Sequence, residues 1–122
     1  MKSTAPLLLP AILISTQSAR EFREVTADAN ASPDPSRQFR RTERLVIRVP
    51  AYASGAPVRV TGRLLNRLAQ PMRDLVALPD AGGITQFDLP LATLAPGDYY
   101  LQFSVAGPGA PIDQRIGFRI TG

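Results

Sequence analysis

The chain has 122 residues, 44% of them hydrophobic and 20% charged, which suits one domain burying roughly two thirds of its unfolded surface. It contains no Cys, His or Trp, and this excludes disulfides, thiol chemistry, imidazole acid–base catalysis and Cys/His metal centres. Fourteen basic residues, all arginine except Lys2, stand against ten acids for a net charge of +4. With no aromatic-flanked basic helix or RNP-like strand beside it, that excess does not point to nucleic acid.

The N-terminus supports two readings. Met1 and Lys2, the apolar stretch Ala5 to Ile14 and the small polar run Ser15 to Ala19 follow the order of a secretory signal peptide. Pro6 and Pro10 interrupt it, and Gln17 stands where cleavage after Ala19 wants a small residue. The stronger reading is a strand over Ala11–Ser15, introduced by a proline that has no N–H to give a ladder. No other apolar stretch approaches the ~20 residues of a membrane span, so none is expected.

Ser18-Ala19-Arg20-Glu21 has the form of a capping box, and Ala19, Phe22, Thr26 and Ala29 recur at helical spacing behind it. A short helix is expected to end near Asn30, because Ser32-Pro33-Asp34-Pro35 cannot continue one. From Phe39 onward the period is two. Leu45, Ile47 and Val49 alternate with Arg44, Val46 and Arg48, and Val58, Val60, Gly62 and Leu64 alternate with Arg59, Thr61 and Arg63. A hairpin loop over Asn66–Gln70 leads to a strand from Met72 to Leu78, and Pro79–Gly83 reads as a turn before Phe87, Leu89 and Leu91. Tyr99, Leu101, Phe103 and Val105, then Ile116, Phe118 and Ile120, give the last two strands. Twelve prolines and nine glycines supply the turns. The fold class expected is all-β, a two-sheet antiparallel immunoglobulin-like or fibronectin III-like sandwich of about seven strands. A strand-and-helix lead-in over residues 1–35 precedes a sandwich over 36–122.

Leu94-Ala95-Pro96-Gly97-Asp98-Tyr99 carries the most specific local signal. Pro96 presets φ for one corner position and Gly97 frees it at the next, so the turn aims Tyr99 back under the preceding connection. Leu94, Pro96, Gly97 and Tyr99 are thus expected to build a tyrosine corner, with the phenol bonded to backbone and the ring in the core.

At these residues the chain resembles a known family. Phe39 to Leu45, Val49 to Tyr52, Gly62 to Arg67, Gln70 to Leu75, Asp88 to Leu91 and Leu94 to Tyr99 are similar to the C-terminal β-sandwich module of bacterial proteins carrying a von Willebrand factor A-related domain. The lead-in, with its Ser18-Ala19-Arg20-Glu21-Phe22 helix start, is similar as well. The resemblance implies a noncatalytic accessory module, exported to the periplasm, cell envelope or exterior, whose partner is a protein or a neighbouring A-type domain. The A-type domain's Asp-x-Ser-x-Ser metal motif is absent, and Asp28-Ala29-Asn30-Ala31-Ser32 imitates its spacing behind a helix where a buried strand is needed.

One surface feature remains. Arg40, Arg44 and Arg48 share a strand face, as do Arg59, Arg63 and Arg67 on the next, so paired strands would line up an arginine ladder able to meet an acidic partner. The competing reading is a solvated face. No catalytic pair, cofactor loop or metal set is expected: the carboxylates sit in turns or strand flanks, and no base is placed to activate Ser, Thr or Tyr. The function expected is therefore a protein-interaction or spacer module. The alternative is a carbohydrate- or polyanion-binding module, which would need Tyr52 and Tyr100 on one exposed platform or a concentrated basic patch.

Overall fold

The computed structural model describes residues 7–28, 30, 31, 33, 36–53, 56–105 and 112–122. In chain order these form β1 (Leu7–Leu8), β2 (Ile12–Thr16), α1 (Ala19–Ala27), β3 (Gln38–Arg40), β4 (Arg44–Val49), β5 (Ala51–Ala53), β6 (Ala56–Pro57), β7 (Thr61–Leu65), β8 (Pro71–Asp74), β9 (Val76–Ala81), β10 (Ile84–Pro90), β11 (Gly97–Val105) and β12 (Ile112–Thr121). The fold is mostly β and its sheets are antiparallel, apart from the parallel pairing of β3 on β12.

Alternation builds two faces that meet. One sheet runs β2-β4-β10-β9 and the other β3-β12-β11-β7-β8, with a small third sheet β1-β5-β6 beside them. Leu13, Leu45, Ile47, Phe87 and Leu89 of the first join Phe39, Leu64, Leu101, Phe103, Phe118 and Ile120 of the second in one buried cluster. Phe87 and Phe103 stack across the gap with ring centroids 5.9 Å apart. Each such fully buried large side chain contributes about 2 kcal/mol of transfer free energy.

The lead-in belongs to this core. β2 pairs with β4 from Ile12↔Arg48 to Thr16↔Arg44, and Leu13 is buried in the cluster. Pro10 cannot donate, and the gap is bridged from β12: Gln114 Oε1 accepts from Ala11 N at 2.7 Å while its Nε2 donates to Leu9 O at 2.7 Å. At the start of α1, Glu21 N donates to Ser18 Oγ at 3.0 Å and Gln17 N to Glu21 Oε1 at 2.8 Å, so the reciprocal half of the cap reaches one residue further back than the standard box. The helix ends at Ala27, short of Asn30.

Two local readings of the sequence change. The residues from Met72 to Leu78 form two strands on different sheets, β8 beside β7 and β9 beside β10, with buried Leu75 at the crossing. Pro79, Asp80 and Ala81 continue β9, and the turn shrinks to Gly82-Gly83, whose φ values of 59° and 83° suit a two-residue hairpin that twists with its strands. The loop after β7 is closed by Asn66, whose Oδ1 accepts from Leu68 N at 2.9 Å and Gln70 N at 3.0 Å.

Candidate functional site

The arginine ladder does not form, because its strands do not pair. β4 lies in the four-stranded sheet and β7 in the five-stranded one, while Arg40 belongs to β3. Arg48 is instead covered by α1, and Arg44, still half-exposed, lies against that helix at Phe22. Arg44 grips Asp88 through Nε at 2.8 Å and Nη2 at 2.6 Å, and its guanidinium lies 3.8 Å from the centre of the Phe22 ring. The bonds to Asp88 hold the Arg44 guanidinium above the ordinary arginine value.

Arg48 is 2% exposed. Its Nε donates to Gln86 Oε1 at 2.7 Å, and Nη2 donates to Val25 O and Asp28 O at 2.6 Å each. Gln86 Nε2 in turn donates to Thr26 O at 3.2 Å and Pro79 O at 2.9 Å. A helix ends with unpaired carbonyls and a partial negative charge. The last turn of α1 has no basic residue of its own, so Arg48 supplies both the donors and the charge from the sheet below. Burial pulls this guanidinium below its usual value, and the nearby Asp28 opposes that effect. Arg48 is spent on docking the helix.

Arg59 and Arg63 remain exposed, with no hydrogen bond or ion pair among the described residues. They stand at a notch on the other flank. β8 leaves β7 after Leu75 N donates to Gly62 O at 2.9 Å, then crosses to the opposite sheet as β9. The crossing opens a cleft of about 530 Å³ with Leu75, Ala77 and Phe87 inside and Arg59, Thr61, Arg63 and Asp74 around its mouth. Gly62 permits the crossing: a Cβ there would stand 2.9 Å from Leu75 Cδ1 and 3.1 Å from the Phe103 ring. A lone glycine inside an alternating strand is the one sequence signal of such a close approach.

Beside the notch, cross-strand rows cover the outer face of the five-stranded sheet. Register puts Thr61, Ser104 and Asp113 in one row and Asp74, Arg63, Gln102 and Arg115 in the next. Asp113 accepts from Ser104 Oγ at 2.5 Å, whereas Asp74 lies opposite Arg63 without a salt bridge. The edge strand β8 pairs only with β7 among the described residues, and Pro71, Met72, Arg73 and Asp74 are all exposed. Because Leu75 N points to β7, alternation turns the N–H and C=O groups of Asp74 outward, up to the bulge at Met72 where the register with β7 shifts. The matching edge of the other sheet is blunted by Pro79 and by α1, which packs against β9.

Tyr99 is the third residue of β11, at the corner where the strand begins. Its hydroxyl donates to Ala95 O at 2.6 Å, and its buried ring stacks on Phe118 with centroids 5.8 Å apart. Leu94 is buried beside it, Pro96 is exposed, and Gly97 takes a φ of 149° that L side chains rarely adopt. These four residues hold the corner together; they line no part of the notch.

Tyr52 and Tyr100, the two candidates for an aromatic platform, stand on different sheets, each half-buried. Asp98 is held by Arg119 at 2.8 Å, and that guanidinium keeps its carboxyl below the usual carboxylate range. Among the described residues no three carboxylates gather as a metal set, and no helix is long and apolar enough to cross a membrane. No protein-family model, no curated protein and no solved structure matches this chain.

Proposed function

We propose that the chain is a noncatalytic protein-interaction module of a bacterial exported or envelope protein, built as an immunoglobulin-like sandwich and working beside a partner protein or a neighbouring A-type domain. The sheet orders support the immunoglobulin-like reading: one edge strand on each sheet comes from the N-terminal part of the chain, and the second is parallel to the last strand. The tyrosine corner at the start of β11 supports it too. Export and the A-type neighbour rest on the sequence resemblance alone.

The observation that carries the interaction reading is the open edge of β8. Its outward N–H and C=O groups form a template for an added strand, and exposed Met72 offers an apolar contact beside them. The polar groups elsewhere are largely engaged in holding the fold: Asp88 with Arg44, Asp98 with Arg119, Asp113 with Ser104.

A random decapeptide library displayed against the whole chain tests this. Asp74→Pro removes one outward N–H and no rung of the β7 ladder, because the neighbouring Leu75 N–H is the one that bonds Gly62 O. Peptides selected on the native chain are expected to lose binding to that variant while its unfolding midpoint stays close to the native one. Equal binding to both proteins would refute strand addition at β8.

A further inference from the structure

We propose that the notch beside β7 is a docking slot for an extended segment of a partner protein, read as an apolar residue next to an aspartate or glutamate. This rests on the interaction-module reading and specifies the partner's chemistry. The notch lies where β8 would have continued alongside β7 had it not crossed at Leu75. A partner segment there completes the vacated row. Val60, the residue before β7, lines the notch together with Gly62. Its N–H donates to Thr85 Oγ1 at 3.3 Å, and its carbonyl is left for the incoming chain.

The side chains set what fits. On the outer face, the position opposite Thr61 has Arg59 and Arg63 as its two diagonal neighbours, roughly 7–8 Å away and within the reach of arginine. Both guanidiniums lack a partner among the described residues, so one carboxylate placed there meets two cations. The adjacent residue of the segment turns to the inner side and meets Phe87, Ala77 and Leu75. An apolar side chain fills that floor.

The surrounding acids limit the reading to a single carboxylate. Asp74 occupies the place opposite Arg63, and Asp113 lines the far side of the cleft. A polyanion with regularly repeated charge would run into one or the other. The slot therefore favours an isolated acidic residue in an otherwise uncharged strand, and Asp74 fixes its register.

The test sequences the selected decapeptides and titrates synthetic copies against the whole chain. Adjacent apolar and acidic residues are expected to be enriched. Replacing the acid by its amide should weaken binding about tenfold, and replacing it by Lys should weaken it further, with partial recovery on an Arg59→Glu, Arg63→Glu double variant. Both arginines are exposed, so the double variant should fold, with a slightly lower midpoint because a carboxylate at position 63 faces Asp74. Peptides that lack the acid, or bind the double variant unchanged, yet are lost on Asp74→Pro, would overturn the slot and leave the interaction module standing. Displacement of the peptides by heparin at lower concentration than by free acidic peptide would also overturn it, in favour of a polyanion. A library that yields no binder overturns both readings.

Discussion

Arg48 and Gln86 share a 2.7 Å hydrogen bond beneath the last turn of α1, and between them they donate to four backbone carbonyls, those of Val25, Thr26, Asp28 and Pro79. Two strand side chains thus finish a helix. Removing Arg48 strands the buried Gln86 Oε1 and two part-buried carbonyls, so Arg48→Leu is expected to cost about 2–3 kcal/mol in a urea titration. Arg48→Lys should recover little of this, because an ammonium cannot fork to three acceptors held by a planar guanidinium. Amide exchange over Phe22–Asp28 should accelerate in both variants before the sheets open.

A smaller loss is expected at the corner. Tyr99→Phe keeps the ring stacked on Phe118 and deletes only the donation to Ala95 O. The expected cost is about 1 kcal/mol, read from the denaturant midpoint at unchanged slope. A change in slope would mean that the corner itself had rearranged.

Gly62 and Leu75 are coupled by space. A methyl at Gly62 would press on Leu75 Cδ1 and Phe103, so Gly62→Ala should destabilise by about 1 kcal/mol despite the entropy it removes from the unfolded chain. In a Leu75→Ala background the 2.9 Å contact is gone, the 3.1 Å approach to Phe103 stays, and the entropic gain remains. There the same substitution should cost clearly less, and a double-mutant cycle with no coupling would contradict the close approach.

Asp98 gives the pH dependence. Its carboxyl is lowered by Arg119 in the fold and takes the ordinary value, about 3.9, when unfolded. The ion pair's contribution is therefore complete above the ordinary value and disappears as pH falls through the lowered one; nothing changes near neutrality. Because both partners are exposed the effect on stability is small and weakened by salt. Carboxyl-carbon NMR should show Asp98 titrating upward toward the ordinary value in Arg119→Ala.

Sequence alone carried the parts of this molecule that local physics decides. The helix start was written in Ser18 and Glu21, the corner in Pro96, Gly97 and Tyr99, and the inward faces of β4, β7, β11 and β12 in alternation. Alternation records which side of a strand is apolar, but not which sheet the strand joins. The run through Leu75 therefore read as one strand, and Arg44 and Arg48 read as surface because the helix that lies against them is far back in sequence. The notch is a product of that same crossing and left a single trace, the glycine at position 62.

β12 has a further consequence. It carries Gln114, which clamps Leu9 and Ala11, and it pairs through Ile120 with Phe39. β3 thus waits for β12 before it finds a strand partner, whereas β1 and β2 already have β5 and β4 and gain from β12 only the Gln114 clamp; such distant contacts slow folding. During synthesis the five-stranded sheet stays incomplete until Ile112–Thr121 has left the ribosome, and until then β3 and β11 lack the neighbour that joins them.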